Sequence, residues 1–323
     1  MTQANIMEIN GFKYLININT NGFPVITMSG DALKSPKSLS KYYTVDELSV
    51  SSFIQRKLYA NTPDFFNDLF DTLYLKLDYS GISFDKIVGL FKSDEIANER
   101  KEYELDNEKY IQKIRNTHYA IWNAHCGIIC MTENKTDDLM WAHYSNNEGF
   151  LVEFDHLIFP KNFGTPYQIN YVPSNDMLKF SSNEIFLSIY INSLLKKDIW
   201  KYENEFRFLV HPNSYGSFLT YGRFSNECHD YKKESRLVPF PDKAIKKVIF
   251  GLKFFNNYIL DSETRERKID LNRKNGLIYK SLIDNLIENK ISVEMIHINL
   301  TCLNLESKAI ALSKISETIY KIE

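Results

Sequence analysis

Cysteine is scarce in this chain, with four among 323 residues. Cys126, Cys130, Cys228 and Cys302 form no CxxC pair, which excludes a disulfide-stapled secreted scaffold. The amino terminus lacks the charged-then-apolar profile of a secretory signal, so a reducing, cytoplasmic setting with free thiols is expected. Cys126 and Cys130, beside His118 and His125, have the outline of a ligand set. Yet Cys126-Gly-Ile-Ile-Cys130-Met-Thr reads as a buried strand whose thiols act as small apolar groups, and no metal is expected. No apolar run approaches the ~20 residues that span a bilayer, so no membrane partner is expected. An excess of charge is missing too: 39 Lys and Arg stand against 41 Asp and Glu, a net charge of −2. No global field draws the chain to nucleic acid or an anionic membrane. The sequence has no P-loop, no GxGxxG and no Gly-x-Ser-x-Gly elbow, which removes support for nucleotide hydrolysis, Rossmann chemistry and α/β-hydrolase chemistry.

What the chain does have is length for one large or two modest domains and a high aromatic content, with 20 Tyr and 22 Phe. Both argue for an ordered globular fold. Residues 1–40 read as a hairpin-like extension: Phe12 to Ile18 alternates, Asn10-Gly11 and Asn21-Gly22 are turn pairs, and Lys34 to Ser40 is a polar linker. A main domain is expected over 41–255. It opens with the strand Lys41 to Thr44, a helix from Asp46 to Arg56 and the strand Leu58 to Asn61. Phe84 to Thr117 reads as helical with a solvated, charged face. Strands are expected at Gly127 to Met131, Gly149 to Phe154, Tyr167 to Val172 and Lys246 to Gly251. Asp137 to Tyr144 reads as a turn or short helix, and Glu184 to Lys197 as a helix. A C-terminal segment, 256–323, reads as helix (Leu271 to Lys290), strand (Ile291 to Ile298) and closing helix (Glu306 to Glu317). Hairpin-like strands mixed with inserted helices make the fold class α+β, with mixed or antiparallel central sheets.

The stretch Asp198 to Val210 alternates with period two. As a strand it places Trp200, Tyr202, Phe206 and Phe208 on one face and Lys201, Glu203, Glu205 and Arg207 on the other. Two carboxylates two residues apart lie about 7 Å apart along a strand, close enough to address one ligand. A solvated sheet face with a Glu–Arg pair fits the same pattern. Asn67, Asp68 and Asp71 form an acidic turn that serves either as a cap for the following backbone or as a Mg²⁺ site for phosphodiester cleavage.

Three stretches together resemble the bacterial family called domain of unknown function 2971. They are Leu58 to Asp71 (with Phe66-Asn67-Asp68-Leu69-Phe70-Asp71, where the family usually has proline at the position of Leu69), Asp138 to Tyr144 followed by Gly149 to Asp155, and Trp200 to Arg207. The element order at Lys41 to Asn61 looks, more distantly, like the opening of the ADP-ribosyltransferase fold. That resemblance implies an ADP-ribosyltransferase-like core with NAD as substrate. It implies a nucleic-acid or protein acceptor, and a toxin or antiviral-defence setting that includes a partner protein. It also implies roles: Glu205 beside the ribose, Glu203 as proton acceptor, His143 in ligand contact or proton transfer. Lys41 or Tyr42 falls on the first-strand NAD position, where the fold usually has Arg or His. Trp141 and Tyr144 either stack on a nicotinamide or a base or pack in the core, the two readings being equally good, and Arg207 joins the binding set. A metal-dependent nuclease using Asp68, Asp71 and a Glu, and a non-catalytic recognition module that uses the aromatic and His cluster, are the alternatives.

Overall fold

The structure is a computed structural model. It describes residues 5–18, 24–62, 65–68, 70–72, 77–78, 83–88, 93–114, 116, 127–173, 178–179, 190–210, 236–260 and 266–323. His118, His125, Cys126, Cys228, Leu69, the Asn21-Gly22 pair and residues 184–189 lie outside the described residues. The fold is α+β, with mixed and antiparallel sheets. It divides into two compact units. One comprises Met1–Lys34, Asn61–Ile128 and Pro166–Lys201; the other comprises Ser35–Ala60, Ile129–Thr165 and Tyr202–Glu323. The cut set at residue 40 falls inside a strand, Leu39–Tyr43.

In the first unit, Asn5–Ile9 and Phe12–Ile18 form the hairpin that the Asn-Gly signal predicts. Asn10 and Gly11 carry φ of 50° and 79°, the left-handed pair that a two-residue hairpin turn requires. Pro24–Ser29 adds a third antiparallel strand. Buried Asn170 ties down this hairpin: its Nδ2 donates to Ile9 O at 2.9 Å and to the Tyr14 hydroxyl at 3.0 Å. Helix Ile96–Leu105 buries none of its residues, in keeping with a solvated charged face. Two expectations are corrected here. Tyr167 to Val172 breaks into Tyr167–Gln168 and Asn170–Val172. The end of the expected Glu184 to Lys197 helix is instead a strand, Leu195–Lys197, because its backbone pairs in parallel with Asn170–Val172.

The second unit is organised by one large sheet. Its strands are β1 (Leu39–Tyr43), β2 (Gly127–Thr132), β3 (Phe150–Phe154), β4 (Glu205–Val210), β5 (Ile245–Phe250), β6 (Val293–Asn299) and β7 (Asn304–Ile310). They lie in the order β7-β6-β5-β3-β1-β2-β4. β5 and β6 are parallel, while β3 runs antiparallel to both β1 and β5. Period-two alternation sorts the side chains. Leu39, Tyr43, Phe150, Val152, Phe206 and Phe208 join the main core, together with Val50 and Phe53 from helix α1 (Glu47–Ile54). Tyr42, Leu151, Ile249 and Ile296 meet Met140 and Trp141 of helix α2 (Asp138–Ser145) on the other face. Helix α3 (Gly276–Glu288) supplies Tyr279, Leu282, Ile283 and Leu286 to the main core.

The expected closing helix, Glu306 to Glu317, is not one. Its residues form β7 and the short strand Leu312–Lys314. Ala, Lys and Glu favour a helix locally, but all seven residues of β7 find backbone partners on β6, and tertiary pairing overrides that propensity.

Candidate functional site

The alternating stretch does not run as a single strand. Asp198–Glu203 is a 3₁₀ turn, and Asn204 takes φ of 43° before β4 begins at Glu205. The reason is that its carbonyls are claimed by side chains instead of a ladder. Asn134 Nδ2 donates to Tyr202 O, Thr132 Oγ1 donates to Glu203 O at 2.5 Å, and Asn204 Nδ2 donates to Glu133 Oε2 at 3.1 Å. Asn134 is itself fixed, its N–H donating to Thr132 Oγ1 at 2.9 Å and its carbonyl accepting from the Tyr42 hydroxyl at 3.0 Å. Residues 132–134, directly after β2, thus hold both carboxylates in place.

Glu203, Glu205 and Arg207 are 2%, 5% and 0% exposed, so the face is buried where a solvated one was the alternative, while the Glu–Arg pair of that alternative is present. Arg207 grips Glu205 with two parallel bonds, Nε to Oε1 at 2.7 Å and Nη2 to Oε2 at 3.1 Å. A bidentate guanidinium is the geometry that best offsets the cost of burying a carboxylate. Glu203 accepts a 2.5 Å bond from the Tyr144 hydroxyl.

Strand β1 brings a cation to the same place. β1 and β2 pair at Ser40 opposite Thr132. One residue further along β1, Lys41 Nζ donates to Cys130 O at 3.3 Å. Burial pulls the Lys41 pKa below the ordinary lysine value, while the Cys130 and Glu205 charges draw it back up. The Cys130 thiol is pushed well up, first by burial and then by the Glu205 charge. Arg207 and Lys41 act in the opposite direction, and the thiol bonds to Glu205. Lys41, Cys130, Glu205 and Arg207 are therefore one electrostatic group. An inert buried thiol, as expected for Cys130, agrees with this, but its bond to Glu205 makes it part of the site.

Helix α2 positions the remaining candidates. Asp137 caps it, Oδ1 accepting from Met140 N at 2.9 Å, and left-handed Asn146 closes it. Tyr144 lies 6.4 Å from Tyr42, ring centre to ring centre. His143 is exposed, and its Nδ1 sits 3.0 Å from the Tyr202 hydroxyl. Of the two readings of Trp141, the structure takes core packing. The side chain is fully buried, stacked edge-on to Tyr42 at 5.0 Å, with its indole N–H donating to Lys135 O at 2.8 Å. It supports Tyr42 from beneath, leaving Tyr42 and Tyr144 as the aromatic pair of the site. Thr132 and Asn134 were not singled out from the sequence, where Cys130 was read as a buried apolar thiol and Tyr202 as part of the apolar face of a strand. The one legible signal was a polar Thr132-x-Asn134 pair ending a buried strand.

The acidic turn behaves as a cap. Asp68 Oδ1 accepts from Phe70 N at 2.9 Å, and Asp71 is ion-paired with buried Lys196 at 3.6 Å. Among the described residues no group of three or more His, Cys, Asp or Glu side chains is arranged to hold a metal ion. No helix among them is long and apolar enough to cross a membrane. No protein-family model, curated protein or solved structure matches this chain.

Proposed function

We propose that the second unit is an NAD-dependent ADP-ribosyltransferase-like catalyst that modifies a macromolecule, a nucleic acid or a protein, as a cytoplasmic effector in a toxin or antiviral-defence setting. One observation carries the reading: beside the pairing of β1 with β2 at Ser40 and Thr132, Lys41 Nζ bonds to Cys130 O and the Cys130 thiol bonds to Glu205. NAD as substrate suits the residues around it. A flat nicotinamide ring matches Tyr42 and Tyr144, and a diphosphate matches the Lys41 ammonium.

In this reading the bond between ribose C1′ and the nicotinamide nitrogen breaks, and nicotinamide leaves as a neutral base with the bonding electron pair. The positive charge left on the ribose is stabilised by Glu205, which Arg207 holds in a fixed orientation. An acceptor oxygen or nitrogen then bonds to C1′, and its proton passes to the Glu203 carboxylate, oriented by the Tyr144 hydroxyl. His143 and Tyr202, at the exposed side, contact the acceptor.

The test is nicotinamide release from NAD by the purified protein with cell lysate as acceptor source, and mass-spectrometric detection of ADP-ribose on lysate macromolecules. Glu203→Gln and Glu205→Gln are expected to lower turnover by about 10²-fold or more. Lys41→Ala acts mainly on KM. Absence of both nicotinamide release and labelled acceptor with folded wild-type protein ends this reading. NAD binding without turnover would favour a recognition module, and Mg²⁺-dependent nucleic-acid cleavage a nuclease.

A further inference from the structure

We propose that the outer edge of β7 is a self-complementary interface through which two copies of this chain pair their sheets antiparallel, across a twofold axis at Ser307. β7 ends the strand order, and all seven of its residues pair with β6 on the inner side only. Among the described residues no strand covers its outer side. Such an edge presents a row of backbone donors and acceptors to any extended partner. The side chains decide which partner fits.

An antiparallel pair of identical strands must match outward-facing amides with outward-facing amides, so its twofold axis falls on a residue and pairs residues of like parity. Centred on Glu306, the axis would set Glu306 against its own copy. Centred on Lys308, it would set Lys308 against Lys308. Centred on Ser307, it sets Glu306 against Lys308 twice, Leu305 against Ala309 twice and Asn304 against Ile310 twice. Ser307 is also the midpoint of Asn304–Ile310, so the charge-matched register is the one in which the strands overlap completely. Glu306, Lys308 and Ala309 are exposed, and Lys308 has no ion-pair partner among the described residues. Glu306 is already oriented, accepting from Asn299 Nδ2 at 2.5 Å. Charge on an edge strand ordinarily blocks pairing; here it selects a register and a partner, a second copy of the same strand.

Sedimentation velocity across a micromolar concentration series tests this on the full chain. Wild type is expected to show a reversible monomer–dimer equilibrium that weakens as salt screens the two exposed ion pairs. Lys308→Glu or Glu306→Lys sets like charges opposite one another and is expected to raise the dimer Kd about tenfold. The double exchange Glu306→Lys with Lys308→Glu restores the pairing and the wild-type Kd. Ser307→Pro, which removes a backbone donor at the axis, is expected to abolish the dimer. All three positions lie on an edge strand, and circular dichroism confirms that each variant is folded. A chain that stays monomeric throughout, or a dimer indifferent to both single charge reversals, overturns the proposal.

Discussion

At the residue scale, the buried Glu205–Arg207 pair dominates. Removing one partner leaves an uncompensated charge in a place with little water, which costs far more than the pair contributes. Arg207→Met is expected to destabilise the fold by about 3–5 kcal/mol, read from urea unfolding. The double change Glu205→Leu with Arg207→Met is expected to recover most of that loss while abolishing turnover. A double variant as unstable as the single would show that the two side chains do not act as a unit. His156 offers a second test. Burial is the largest influence on its imidazole and lowers its pKa, with Asp155 raising it, Lys246 lowering it and Glu133 raising it. A lowered folded-state value means that below pH 6.5 the unfolded chain takes up a proton which the folded chain resists. Stability is therefore present in full above pH 6.5 and falls as pH drops toward the folded-state value. His156→Gln is expected to flatten this part of the melting-temperature profile relative to wild type.

At the element scale, helix α2 and the turn after it aim the site. Asp137→Ala removes the cap and is expected to cost about 1 kcal/mol in urea unfolding. Its effect on turnover should exceed that of the lost stability, because the helix carries His143 and Tyr144. Gly149 ends the turn against the backbone of β1: a Cβ there would run into Tyr43 O and come within 2.7 Å of Ser145 Cβ. Gly149→Ala is expected to cost about 1–3 kcal/mol as overpacking. An unchanged unfolding midpoint would mean that the strand yields. Much at this scale was legible in advance. The Asn10-Gly11 turn, the helix opening at Asp46, the turn or short helix from Asp137 and the apolar runs of β2, β3 and β5 are local signals, set by residues within one turn or strand. The 3₁₀ turn at Asp198–Glu203 and the strand β7 were misread, since the partners that decide them, Thr132, Asn134 and β6, are far away in sequence.

At the scale of the whole molecule, each compact unit is assembled from three separate stretches of chain. One boundary, between Lys34 and Ser35, falls in the polar linker read from Lys34 to Ser40; the others were not read from the sequence. Hydrogen exchange is expected to rank the large sheet by depth. The amides of β1, β3 and β5, each flanked by strands on both sides, should exchange slowest. Those of β7 should exchange fast in dilute protein and slow as concentration rises. Lys308→Glu should remove that concentration dependence. Rapid exchange of β1 at all concentrations would contradict its central place.

By itself the sequence determined the α+β class, the Asn10-Gly11 turn and the apolar faces of the strands, which follow from period and local chemistry acting over a few residues. Lys41, Tyr42, Trp141, His143, Tyr144, Glu203, Glu205 and Arg207 entered as one candidate set through the family resemblance. Only the tertiary structure decided that Glu203, Glu205 and Arg207 are buried, that Trp141 is a support for Tyr42, that Cys130 joins Lys41 and Glu205, and that Thr132 and Asn134 hold the carboxylate turn. The physical reason is the same in each case: burial and hydrogen-bond partners are set by which strands lie side by side, and β1, β2 and β4 come from stretches of chain more than a hundred and sixty residues apart from first to last.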